Sequence, residues 1–319
     1  MLMNDLPASA YRGELHLDAP LARYTTWRCG GKADRLYFPV DRADLAAFVR
    51  SLPVGEPIVP VGLGSNLLVR DGGVRATVIV MHPALGSITL EGALLHAEAG
   101  VASPKVARFA AMHGRADAEF LAGVPGTVGG ALAMNAGCYG GETWRYVATV
   151  EVLTRAGEFE RRDPASYSVG YRTVRDAGGS ANLDLFVGAW FDFPQGDSEL
   201  ARERIRSLLK RRIATQPLDL PNAGSVFRNP QGDHAARLIE ACALKGVAIG
   251  GARVSEKHAN FIVNPHGAAS ASDIERLIEH VRTTVLDQTG VLLETEVRII
   301  GQADPKQAPR AQAQQGKQA

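Results

Sequence analysis

Four glycines fall within eight residues, Gly123, Gly126, Gly129 and Gly130, in the stretch Leu121-Ala-Gly-Val-Pro-Gly-Thr-Val-Gly-Gly130. Ordering a glycine costs more conformational entropy than ordering any other residue, so a plain connector rarely carries so many. The missing Cβ lets backbone N–H groups approach an anion closely. No lysine follows the glycines, which excludes the P-loop. A second stretch, Val61-Gly-Leu-Gly-Ser-Asn-Leu67, follows a run at Ile58–Val61 that reads as a strand. It lacks the third glycine and the following helix of the dinucleotide fingerprint. Taken singly, the first loop could be close core packing and the second a tight turn. Together they predict a phosphate cradle for a large nucleotide cofactor, with Ser65 and Asn66 as added donors.

The chain has 319 residues, 45% hydrophobic and 22% charged, and a net charge of +1. That balance predicts about two globular domains and gives no electrostatic footprint for nucleic acid. Cys29, Cys138 and Cys242 lie far apart with no CxxC pair. Neither a zinc site nor a disulfide framework is indicated, and no metal is expected. Met1 to Tyr11 shows no basic run followed by an apolar core, and no segment has the length of a membrane span. A cytoplasmic protein is expected.

Leu36–Val40 reads as a buried strand stopping at Asp41, which caps a helix with Leu45, Phe48, Val49 and Leu52 on one stripe. Val78–Met81 reads as a strand, and Ser87–Leu90 with Leu94–Ala99 as a hairpin. Ser103-Pro104 opens a helix, serine as N-cap, and Gly114 ends it. A second regime begins near Asp197 with a long basic helix that stops before Pro217. Helices follow at Asp233–Cys242 and Ser272–Thr289, with strands at Phe261–Val263 and Val291–Ile300. The pattern predicts an α+β fold: a cofactor domain over 20–196 in two α+β subdomains, a smaller α+β domain over 197–301, and a disordered tail over 302–319.

Three residues could carry chemistry. Ser225 sits on a glycine turn in Asn222-Ala-Gly-Ser-Val-Phe-Arg-Asn-Pro230. A bond to its own loop explains a lone serine equally well, and no hydrolase elbow or triad accompanies it. Arg172, in Tyr167-Ser-Val-Gly-Tyr-Arg172, is either a surface arginine or a fork for a carboxylate or enolate. In Leu293-Glu-Thr-Glu-Val-Arg298, strand alternation puts Glu294, Glu296 and Arg298 on one face, which a solvated surface would also explain.

In order along the chain, these stretches resemble the UDP-N-acetylenolpyruvoylglucosamine reductase family, the UDP-N-acetylmuramate dehydrogenases of bacterial peptidoglycan-precursor synthesis. The matching segments are Thr25–Gly31, Gly62–Leu68, Phe120–Gly130, Met134–Gly137, Tyr171-Arg172, Ala223–Pro230, Gly250–Ser255, His258–Asn264 and Leu293–Arg298. The resemblance implies an FAD-binding domain of the vanillyl-alcohol-oxidase type followed by a domain for the UDP-sugar. Gly62, Gly64, Ser65, Asn66 and Leu67 from one loop would hold FAD non-covalently. Gly123, Pro125, Gly126, Thr127, Gly129 and Gly130, with Asn135 and Gly137, would hold it from the other. NADPH would reduce FAD and leave, and the enolpyruvyl ether of UDP-N-acetylglucosamine would take its place in the same cleft. By the resemblance Ser225 donates the proton, Arg172 and Glu296 bind the carboxylate and stabilise the enol, and Asn229 and His258 lie near the UDP-sugar. The choice of Glu296 over Glu294 comes from the motif alone. The short interval from Arg172 to Ser225 resembles the shorter family type without an inserted tyrosine loop. A monomer without nucleic-acid or membrane partners is expected. Two rivals are an oxidase of the same FAD fold and a non-enzymatic sensor of flavins or UDP-sugars.

Overall fold

Asp41 accepts a hydrogen bond from the Asp44 N–H and so caps α1 (Arg42–Ser51), whose Leu45, Phe48 and Val49 are buried as the spacing predicts. The strand before it runs over Lys32–Phe38, starting earlier than expected and stopping short of Val40. These elements belong to a computed structural model that describes residues 11–178 and 184–304. The chain forms two compact units. Among the described residues the first takes 11–17, 35–66, 76–178 and 184–219, and the second takes 18–34, 67–75 and 220–304. Both are therefore assembled from discontinuous segments, and the long basic helix after Asp197 groups with the first.

In the first unit an antiparallel sheet is ordered Phe159–Arg162, Val147–Leu153, Leu185–Phe191, Leu94–Glu98, Ile88–Glu91. Its core, including Val150, Ala189 and Phe191, is shared with α2 (Ser103–Met112), α3 (Val128–Met134) and α4 (Ser198–Thr215). The cap of α2 differs from the expectation. Ala102 is the N-cap, and Ser103 begins the helix with its hydroxyl buried and unpartnered. Ile58–Val61 pairs in parallel with Val74–Val80 and delivers the chain into the shorter glycine loop at Gly62–Asn66.

The second unit holds α5 (Ala235–Ala241) and α6 (Ala271–Thr289). A full capping box between Ser270 and Asp273 starts α6, and Gly290, at φ +74°, stops it. Ile274, Leu277, Ile278, Val281 and Val285 bury its apolar stripe, the 3.6-residue pattern visible in the sequence. Val291–Ile300 is not one strand: only Arg298–Ile300 is, paired in parallel with Leu67–Val69. Gln302 donates its N–H to the Gly73 carbonyl at 2.8 Å, and residues 305–319 of the expected tail lie outside the described residues. No helix among the described residues is long and apolar enough to cross a membrane.

Trp27 is wholly buried in this unit and donates its indole N–H to the Ile262 carbonyl at 2.8 Å. Asn264, also fully buried, donates to the Trp27 carbonyl and accepts from the Ala269 N–H, both at 2.8 Å. This one side chain binds the N-terminal Thr25–Gly31 stretch to the C-terminal segments. Asn264→Ala strands a buried carbonyl and a buried N–H, so urea unfolding should show a loss of about 1–3 kcal/mol. An unchanged midpoint and slope would refute that role.

Candidate active site

The two glycine loops meet in the first unit. A Cβ on Gly126 would stand 3.2 Å from the Ser65 hydroxyl, and one on Gly62 would run into the Thr127 side chain. Backbone bonds fix the longer loop against the segment that leads into α2. The Ser103 N–H donates to Gly126 O at 2.9 Å, Val128 N–H to Val101 O at 2.8 Å, and Gly129 N–H to Ala99 O at 2.9 Å. The approach is so close that a Cβ on Gly129 would sit 3.0 Å from that of Ala99. Gly130 differs, with nothing within 4 Å of the Cβ position, so its face is open. Glycine here serves two purposes: close packing at Gly62, Gly126 and Gly129, and an uncovered backbone at Gly130. Gly64 needs glycine for its backbone, at φ +63°. Pro125 and Thr127 flank Gly126, and Thr127 is the N-cap of α3 without a side-chain capping bond. Leu67 departs from the expected grouping, since it opens a strand in the second unit and pairs with Arg298.

Gly123 packs against the turn that follows α3. A Cβ there would lie 2.7 Å from the Cys138 sulfur and 2.8 Å from the Tyr139 ring. The sequence reading passed over both partners. Burial pushes the Cys138 thiol up to about 11, so it is a packing group rather than a thiolate nucleophile. Arg211 stacks over the Tyr139 ring at 5.5 Å. Nearby Arg212 has its pKa lowered by burial, a partly desolvated cation that helix periodicity alone does not single out.

Arg172 occupies the tight turn between Tyr167–Gly170 and Thr173–Asp176. Its φ is +54°, a left-handed conformation that costs a side-chain-bearing residue about 1–2 kcal/mol. Strain of this kind persists where the surroundings enforce it. The guanidinium donates to the Asn135 carbonyl at 3.3 Å and the Gly137 carbonyl at 2.5 Å, and lies 4.9 Å from the centre of the Tyr171 ring. These carbonyls stand at the C-terminal end of α3, the negative pole of its dipole. The structure thus joins Arg172 to Asn135 and Gly137, residues expected at the flavin.

Ser225 and Glu296 come together within the second unit. The Val226 carbonyl accepts from the Glu296 N–H at 2.7 Å and the Val297 N–H at 3.4 Å, while Arg228 N–H donates to Glu294 O at 2.9 Å. Asn222 accepts from the Gly224 N–H at 3.0 Å, closing the turn that presents half-buried Ser225. Buried Asn260 holds Phe227 from both sides, accepting its N–H at 2.9 Å and donating to its carbonyl at 2.8 Å. Asn260 was not singled out from the sequence; its place between His258 and Phe261 was the available signal. Glu294 is exposed and ion-paired with Arg228 at 3.7 Å, whereas Glu296 is half-buried. The two carboxylates therefore differ in setting, where strand alternation predicts one shared face. Asn229 accepts from the Ala235 N–H at 3.1 Å at the start of α5. His258 packs against Phe261 at 4.6 Å, and its Nδ1 is buried without a partner.

A flavin site requires a close-approach backbone cradle, and the two abutting loops with the open face at Gly130 fit that requirement. An FAD-binding-domain family model matches residues 33–162, which include both loops. The C-terminal-domain model of UDP-N-acetylenolpyruvoylglucosamine reductase matches residues 216–300, which include Ser225, Asn229, His258 and Glu296. Loops and domains together define an FAD-dependent reductase. The chain is 55% identical to UDP-N-acetylenolpyruvoylglucosamine reductase of Nitrosospira multiformis, over 93% of this chain and 91% of that one. Against the Thiobacillus denitrificans reductase the identity is 56%, covering 92% and 94%. The crystal structure of the reductase from Thermus caldophilus aligns with a TM-score of 0.75 at 32% identity, covering 90% of this chain and 98% of that one. The chain belongs to the UDP-N-acetylenolpyruvoylglucosamine reductase family.

Gly62→Val should drive the loops apart. The purified variant is expected to stay folded by circular dichroism yet carry far less flavin absorbance per protein than wild type. Full flavin content in that variant would remove the close contact from the site. The burial of His258, with Lys245 adding to it, lowers its pKa below the ordinary 6.5. The unfolded chain therefore takes up a proton more readily than the folded one. Stability from this residue is present above pH 6.5 and lost as pH falls below it. Melting temperatures should drop from pH 7.5 to 5.5, and His258→Gln should show a smaller drop than wild type.

Proposed function

We propose that this protein reduces the enolpyruvyl ether of UDP-N-acetylglucosamine to UDP-N-acetylmuramate, a peptidoglycan precursor, with NADPH as reductant. The observation that carries this reading is the pairing of the Ser225 and Glu296 segments through the Val226 carbonyl, inside the region matched by the reductase C-terminal domain. An oxidase of the same FAD fold has no need for that pairing, and a sensor has no need for a proton donor. Both rivals leave it without a purpose.

The reaction adds a hydride to the terminal vinyl carbon and a proton to the carbon bearing the ether oxygen. FAD, when bound, supplies the hydride that it has received from NADPH. The chain's own residues manage charge and proton. Arg172 pairs with the pyruvyl carboxylate and lowers the energy of the enolate that develops there, an interaction strengthened as charge accumulates. Glu296 assists as a hydrogen-bond donor, since a bare carboxylate would repel that enolate. Ser225 gives its hydroxyl proton to the ether-bearing carbon and completes the reduction. Asn229 and His258 contribute to holding the UDP-sugar. We assign the flavin to the unit with the glycine loops and the sugar to the second unit, in a monomeric cytoplasmic enzyme.

Stopped-flow spectroscopy tests this in two stages. NADPH should bleach the flavin anaerobically, and the UDP-enolpyruvyl sugar should restore its colour. Ser225→Ala should bleach at the wild-type rate while turnover falls by about 100-fold or more, the range for losing a positioned proton donor starting there. Normal turnover in that variant would take the serine out of the mechanism.

A further inference from the structure

Arg172 is strained, and something must impose its conformation. The base of the hairpin that carries it is buried through Tyr167 and Val174, but toward its tip Val169 and Tyr171 are 39% and 44% exposed. Beneath its tip lies a cleft of about 500 Å³, bordered by Asn135, Glu142, Trp144, Gly170 and Tyr171. Across that space the contact is polar. The Asn135 side-chain amide donates to the Gly170 carbonyl at 3.2 Å, and Gly170 lies two residues before Arg172. The same nitrogen donates to the Glu142 carboxylate at 3.1 Å, while Oδ1 accepts from the Trp144 N–H at 3.1 Å. Two acceptors on the nitrogen and one donor on the oxygen fix the orientation of the amide.

The backbone of Asn135 completes the arrangement. It caps α3 at φ +42°, ψ +52°, a conformation that asparagine tolerates better than most residues. That left-handed turn aims its carbonyl at the Arg172 guanidinium, 3.3 Å away. Asn135 is 2% exposed. One buried residue therefore holds both the turn on which Arg172 stands and one arm of its guanidinium.

We infer that Asn135 is a positioning residue for Arg172, acting on the enolpyruvyl half of the reaction rather than on the flavin directly. This rests on the function proposed above. A side chain with both amide N–H groups committed to Gly170 and Glu142, and its oxygen engaged by Trp144, has no donor left for the cofactor and acts through its neighbours. A misaligned guanidinium weakens stabilisation of charge that develops on substrate and leaves NADPH oxidation unaffected.

The test uses Asn135→Gly, which keeps the left-handed cap and deletes the amide, and Asn135→Asp, which keeps the Trp144 acceptor and removes the donor to Gly170. In both, NADPH bleaching measured per bound flavin should slow far less than reoxidation. Reoxidation by the UDP-enolpyruvyl sugar should slow by about 10- to 100-fold, the usual effect of losing an outer-shell partner. In an Arg172→Ala background the same substitutions should slow reoxidation no further, because the path runs through that guanidinium. The inference is overturned by unchanged reoxidation, by equal slowing of both half-reactions, by effects that add to Arg172→Ala, or by loss of flavin from both variants. If the wild-type flavin is not reoxidised by the UDP-sugar at all, the proposed function fails first and this inference falls with it.

Discussion

Close contact between backbones is the constraint on which the first unit depends. Three hydrogen bonds tie the Gly126–Gly129 stretch to the segment Ala99–Ser103. The absence of a Cβ on Gly129 lets Ala99 approach this closely. The same loop meets Gly62 and Ser65 of the shorter loop through Thr127 and Gly126. The entropy lost in ordering these glycines is offset by backbone bonds and leaves an open face at Gly130. Downstream, α3 inherits its start from this loop and ends at Asn135, where the left-handed turn meets Arg172. The candidate cofactor cradle and the candidate anion-stabilising arginine are consecutive consequences of one packing solution.

The second unit uses a different device. Its candidate chemistry stands on irregular chain held by single polar links instead of a continuous ladder. Val226 shares one carbonyl between two N–H groups, and Asn260 grips Phe227 from both sides. Buried amides of this kind cost desolvation unless every bond is made. Asn260 and Asn264 each make theirs to backbone, which fixes loops that apolar packing alone would leave loose.

Much of this was legible before any coordinates. Local rules were enough where a short-range interaction decides the outcome: the Asp41 cap, the stripe of α6, the Gly290 stop and the hairpin across Glu91-Gly92-Ala93. Two expectations failed for a common reason. Val291–Ile300 alternates apolar and polar, and Leu293 and Val297 are indeed buried, yet only Arg298–Ile300 finds a ladder partner. Alternation reports which side is buried, whereas strand assignment depends on what lies alongside. Ser103 looked like the cap of α2, but its own N–H is needed by Gly126 O and its hydroxyl is buried, so the helix begins at Ser103 itself.

By itself the sequence determined a framework of two glycine-rich loops, an α+β organisation and, through resemblance, the reductase family with its FAD. The first two follow from residue type and spacing, which are local and survive without knowing any neighbour, while the family and its FAD are what the resemblance implies. Tertiary structure alone decided that the two glycine loops abut and that the Ser225 and Glu296 segments pair. It also separated two carboxylates that alternation would place on one face, with Glu294 exposed beside Arg228 and Glu296 half-buried. Nor does any local rule show that Asn135 serves Arg172, 37 positions away. Each of these depends on the meeting of groups distant along the chain, and that is settled by packing and by the need to satisfy buried polar atoms.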